Sequence, residues 1–130
     1  RAQGYGFTPN VPAPYPLKEF DLANRVAVLA MKEGWCEDYV RSTYRRWFID
    51  GHEAGGDVNL SQTLSEIGHV KSRVLKLAGS QDIEAAYLNQ TERAKRAGVF
   101  GSPSFIVDGE LFWGDDRLED AIAWARKTEV

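Results

Sequence analysis

From Gly98 to Arg117 the chain reads GVFGSPSFIVDGELFWGDDR, and both ends of this stretch carry groups suited to holding a peptide-like ligand. At the front, Pro103 stands where a strand begins. Proline has no N–H to give a β ladder and is tolerated only at a strand's start or edge. Two arrangements are open for the Ser102–Pro103 bond. If it is cis, the bend takes the N–H and C=O of Ser102 out of the ladder, free to pair with an extended ligand as a short added strand. If it is trans, Pro103 simply closes a loop. At the far end, Asp115 and Asp116 fall where a helix starts, and one of them suits an N-cap. A helix start also offers unpaired N–H groups to a carboxylate, while a neighbouring acid suits an ammonium. An α-amino acid group carries both charges and matches this pair.

Other reactive residues are few. Cys36 is the single cysteine, so the chain has no internal disulfide and no Cys-x-x-Cys pair. It stands at a helix start in GWCEDYV, where a thiol pKa can be depressed, but far along the chain from the quoted stretch, and it reads as a bystander. His52 and His69 lie in the turn-like DGHEAGG and IGHV without companion cysteines, a poor metal site, and no metal is expected.

The elements that must position these groups can be read in order. The 130 residues are 43% hydrophobic and 27% charged with a net charge of -3, the profile of a globular domain with no basic surplus for nucleic acid. No apolar run is long enough for a membrane span. Residues 1–16 hold four of the five prolines and read as extended. A helix follows from about Leu17, with Phe20, Ala23, Ala27 and Ala30 on one face and Val26 and Leu29 beside them, until Gly34 stops it. A second helix runs from about Cys36 to Asp50, carrying Tyr39, Tyr44, Trp47 and Phe48 as an aromatic stripe that reads as core packing. Two shorter helices close at Gly68 and Gly79, and Ser80 caps a long one through about Ala97. Only then does the pattern become β: SFIV, an Asp108-Gly109 turn, and ELFW form a hairpin, followed by a last helix with Leu118, Ile122 and Ala125 on one face.

The expected class is thus α/β with a mostly helical chain: a connector over residues 1–16, helices over 17–97, and a ββα part over 98–130. A lone hairpin is marginal in water, and SFIV is apolar on both faces, as in the interior of a larger sheet. The chain therefore reads as the later part of a fold whose first strands are not among these residues.

On the residues just quoted, the stretch resembles the glutathione-binding segment of the 2-hydroxychromene-2-carboxylate isomerases, relatives of kappa-class glutathione transferases and DsbA-like oxidoreductases. The resemblance implies an incomplete thioredoxin-like fold with an all-helical insertion, in which Pro103 is cis. It implies that Ser102 holds the cysteinyl part of glutathione through its backbone, and that Trp113, Gly114, Asp115 and Asp116 hold the γ-glutamyl end. RAQGYGFTPNVPAPY resembles the family's lead into the helical insertion, which places Tyr15 against an aromatic substrate. The family's activating serine motif has no counterpart in these residues and is expected upstream of Arg1, so no catalytic residue is assigned and the isolated chain is expected to be inactive or poorly active.

With the resemblance come further expectations: glutathione as cofactor, isomerisation of a conjugated aromatic keto acid, a cytoplasmic homodimer, and no nucleic-acid or membrane partner. Three rivals stand beside it. A DsbA-like thiol–disulfide oxidoreductase needs a Cys-x-x-Cys upstream and has less use for the Trp-Gly-x-Asp-Arg segment. A kappa-type glutathione transferase acts on other electrophiles. A non-catalytic binding module keeps the helices and hairpin alone.

Overall fold

The computed structural model describes residues 2–128, and the chain falls into two compact units, Arg1–Tyr87 and Leu88–Val130. The first unit opens with a 3-10 turn, Ala2–Tyr5, then an extended segment, then four helices: α1 (Phe20–Glu33), α2 (Cys36–Phe48), α3 (Asp57–Glu66) and α4 (Lys71–Ala78). A fifth, α5 (Gln81–Arg96), begins in this unit and ends in the second. The second unit adds strands β1 (Ser104–Val107) and β2 (Glu110–Trp113), a 3-10 turn at Asp115–Arg117, and α6 (Leu118–Thr128).

Helix limits follow local chemistry. Gly34 adopts φ 84°, the left-handed conformation in which glycine pays no Cβ penalty, and its N–H closes α1 on the carbonyl of Ala30. Ser80 caps α5, its hydroxyl accepting from the N–H of Ile83 at 3.3 Å. The buried face of α1 lies on the Val26 and Leu29 side of the expected stripe. Val26, Val28, Leu29 and Ala30 are buried, whereas Phe20, the first residue of the helix, is 57% exposed. Leu22 and Ala27 are partly buried against the same core.

The helical core joins α1 and α2 to α3 and α4 through Leu29, Tyr39, Leu60, Leu64 and Val74. At its centre Asn59 is 1% exposed, and its amide donates to the carbonyls of Thr43 at 3.0 Å and His52 at 2.8 Å. Thr63 donates to the Asn59 Oδ1 at 3.1 Å, so this buried amide is satisfied on both sides. The aromatic stripe of α2 is only partly core. Tyr39 and Thr43 are buried, but Tyr44 is half-exposed, and the extended segment lies along that side. There the Trp47 Nε1–H donates to the carbonyl of Pro14 at 2.8 Å, and the Asn10 N–H to that of Phe48 at 2.5 Å.

In the second unit β1 and β2 pair antiparallel, with Ser104 opposite Trp113 and Phe105 opposite Phe112. The two-residue turn has φ 49° at Asp108 and 82° at Gly109, the pair of left-handed residues that a tight hairpin turn requires. Helix α6 packs on both strands, burying Phe112 and Ala121, while Ile122 is 43% exposed. The inward face of α6 therefore runs through Ala121 rather than Ile122. Alternate residues of a strand face opposite ways, and on the opposite face from Phe112, Ile106 is 48% exposed. Among the described residues no helix is long and apolar enough to cross a membrane.

Two outcomes test this packing. Leu64 is wholly buried, so Leu64→Ala should lower the stability of the helical unit by about 3 kcal/mol in urea unfolding, the usual loss for a buried leucine truncated in a close-packed core. Glu33 accepts two hydrogen bonds from Arg73, at 2.6 and 3.1 Å, and one from the Trp35 Nε1–H at 2.9 Å. Arg73 first and Trp35 second lower its carboxyl from 4.5 to about 2. A carboxyl depressed by folding stabilises the folded state above its unfolded pKa, and that contribution is lost as pH falls through the folded one. Thermal stability should thus decline between pH 4.5 and 2. Glu33→Gln should flatten part of that decline, and added salt should shrink the difference, because Arg73 is half-exposed.

Candidate functional site

The open end of the hairpin is shaped by an accounting of main-chain hydrogen bonds, which buried or structured segments must nearly always satisfy. Pro103 has no N–H, yet its carbonyl accepts from the N–H of Gly114 at 2.9 Å and so prolongs the ladder by one bond. The Ser104 hydroxyl donates to the carbonyl of Gly101 at 2.6 Å. Between these two ties, the N–H and C=O of Ser102 have no hydrogen-bond partner among the described residues, and Ser102 is exposed. The Ser102–Pro103 bond is cis, as are Val11–Pro12 and Tyr15–Pro16.

Opposite this loop stand Trp113 and Gly114. The indole of Trp113 lies on the main chain of Gly101, where a Cβ would overlap Nε1, and packs against Phe100 with ring centroids 5.0 Å apart. Even so pinned, Trp113 is 53% exposed. Gly114 has φ 111°, a conformation that side chains rarely adopt, and a Cβ there would overlap the Oδ1 of Asp116. The Asp116 carboxylate therefore folds back over Gly114.

The acids belong to the 3-10 turn that leads into α6. The N-cap of the 3-10 turn is Gly114, which contributes no side-chain bond, and Asp115 and Asp116 are the turn's first two residues. Both are exposed. Arg117, the nearest cation in sequence, is engaged elsewhere. Its Nε donates to Asp120 at 2.7 Å, and its guanidinium lies 5.7 Å from the centre of the Phe112 ring. Asp116 has no cation or hydrogen-bond donor as partner among the described residues. The arrangement leaves one carboxylate, one main-chain donor and one main-chain acceptor open to solvent at the same end of one hairpin.

Ser102, Pro103, Trp113, Gly114, Asp115 and Asp116 thus come together as the residue pattern implied, and Phe100 and Gly101 join them. Sequence reasoning passed over those two. The available signal was a glycine just ahead of Ser-Pro, across the hairpin from the tryptophan that pairs with Ser104.

Tyr15 belongs to the first unit, where it is 83% exposed between two prolines. In that unit a groove of about 440 Å³ is lined by Phe7, Pro9, Tyr44, Arg45, Phe48 and Ile49, and Tyr15 is not part of its lining. Cys36 is half-buried at the start of α2, and burial pushes its thiol pKa up, away from thiolate. His69 stacks on Trp35 with centroids 4.2 Å apart.

The family model of the DSBA-like thioredoxin domain matches residues 2–122. A 2-hydroxychromene-2-carboxylate isomerase from Sphingobium xenophagum is 27% identical over 96 residues, 74% of this chain and 49% of the relative. The chain thus spans about half the length of that relative. A solved structure of a 2-hydroxychromene-2-carboxylate isomerase superposes with a TM-score of 0.81 at 24% identity, covering 98% of this chain and 63% of the other, a likeness of fold. On the span of the family model, the chain belongs to the DSBA-like thioredoxin domain family, and within it is similar to the 2-hydroxychromene-2-carboxylate isomerases.

Proposed function

We propose that this chain is the glutathione-holding part of an isomerase acting on conjugated aromatic keto acids of the 2-hydroxychromene-2-carboxylate type. The observation that carries the reading is the bare main chain of Ser102. An exposed N–H and C=O on one residue match the C=O and N–H of a single residue in an extended peptide, which is how strand addition begins. Asp116, with no cation among the described residues, suits the ammonium of a γ-glutamyl group, and Asp115 stands beside it. The residues present therefore fit a short peptide with one ammonium end.

When bound, glutathione supplies the thiol whose reversible addition to a conjugated double bond permits rotation and then elimination. This chain's own part is to bind and to orient. Ser102 fixes the cysteinyl segment by two hydrogen bonds, and Asp115 and Asp116 anchor the ammonium. The chain's one cysteine has no such role, since its thiol is pushed away from the reactive form. Similarity to a relative named as an isomerase favours this reading over a thiol–disulfide oxidoreductase.

The test is titration of glutathione into the protein, followed by amide NMR. The Ser102 and Asp116 amides should shift first. Ser102→Ala should change affinity by less than about twofold, because only the backbone of residue 102 is used, whereas Ser102→Pro, which deletes the N–H, should weaken it about tenfold or more. Asp116→Asn should weaken it by a similar factor through loss of a charge-assisted bond. Ser102→Ala and Ser102→Pro binding alike, or shifts confined to other regions, would overturn the assignment.

A further inference from the structure

The indole of Trp113 makes a contact that neither the ladder nor the helix requires. It rests on Gly101 so closely that a Cβ there would overlap Nε1 and stand 3.1 Å from both Cδ1 and Cε2. A long flexible side chain could swing clear. An indole is a rigid plate with two torsions, and this one is backed by Phe100. An added Cβ must therefore displace either the ring or the loop that carries Ser102.

The two residues in contact are the immediate neighbours of the site's two halves. Gly101 precedes Ser102, whose main chain is open. Trp113 precedes Gly114, which hydrogen-bonds Pro103 at 2.9 Å and lacks the Cβ that would occupy the place of the Asp116 carboxylate. The ladder ends at this point, and the indole of Trp113, the last residue of β2, reaches across to the loop before β1.

We propose that Gly101 and Trp113 are positioning residues that set the separation between the Ser102 main chain and the Asp116 carboxylate, so that one ligand engages both at once. This rests on the glutathione reading above and deepens it. Two weak holds on one ligand reinforce each other only when their spacing matches the ligand, and the gain disappears when geometry forbids simultaneous engagement. Glutathione has both the cysteinyl segment and the ammonium-bearing end; N-acetylcysteinylglycine keeps the cysteinyl amide and carries no ammonium.

The experiment measures the affinities of glutathione and of N-acetylcysteinylglycine for the wild-type chain, Gly101→Ala and Trp113→Leu, by NMR titration of the Ser102 and Asp116 amides. In Gly101→Ala the glutathione affinity should fall about tenfold or more, the size of one lost charge-assisted contact, while that of N-acetylcysteinylglycine stays within about twofold. Trp113→Leu removes the bridge without adding an overlap and should give the same split, which covers the case in which Gly101→Ala fails to fold. A purely structural role would weaken both ligands together. Equal losses for both ligands, or unchanged glutathione affinity in both variants, would overturn the positioning role. A wild-type chain that takes up neither ligand would overturn the glutathione reading itself, and this inference with it.

Discussion

A proline at the head of a strand leaves a β ladder one donor short, and the open end of the hairpin is organised around that deficit. Pro103 can contribute only its carbonyl, so the last rung runs from the Gly114 N–H to the Pro103 oxygen. The reciprocal bond of that pair, to the Gly114 carbonyl, would require an N–H that Pro103 lacks. Bonded and unbonded positions alternate along an antiparallel pair, so Ser102, the next residue outward, is not bonded to β2, and the loop is held by the Ser104 hydroxyl and by the Trp113 indole. Two glycines make this possible, one by admitting an aromatic plate against the main chain and one by tolerating φ 111° beside a carboxylate.

The helical unit answers a different constraint, the burial of polar groups. Asn59 is almost wholly enclosed, and a buried amide without partners would destabilise the core by an amount comparable to several good contacts. Its bonds to Thr43 and His52 tie α3 to α2 and to the loop between them. Glu66 serves the same junction from outside, accepting from Ser42 at 2.9 Å and pairing with Arg45 and Arg46. The segment from residue 7 to 16 then covers the outer aromatic side of α2, which is why Tyr44, Trp47 and Phe48 are neither fully buried nor fully free.

What could be read beforehand divides along physical lines. Gly34, Ser80, Gly98 and the Asp108-Gly109 turn mark element ends through local backbone chemistry, and these boundaries were legible from residue type alone. Helix faces were less so. In α1 the alanine-rich face competes with one carrying Val26, Leu29 and Ala30, and only the packing of neighbouring helices decides between them. The site was half legible. The acids, the tryptophan and the proline announce themselves, because each residue type has few ordinary uses in such a place. The role of Gly101 depends on a cross-hairpin contact with Trp113, and Arg117, next to Asp116 in sequence, is engaged with Phe112 and Asp120 instead. Neither follows from residue order.

The open groups at Ser102 belong to the main chain, and every residue type except proline carries them. Position 102 is therefore free to drift through many side chains while continuing to present the same donor and acceptor. Its neighbours have no such latitude, since glycine at 101 and 114 and proline at 103 are fixed by shape rather than by reactivity. A survey that ranks positions by the loss on truncation to alanine would pass over residue 102 and mark the residues around it. What this hairpin presents is a backbone contour, held by the residues that frame it.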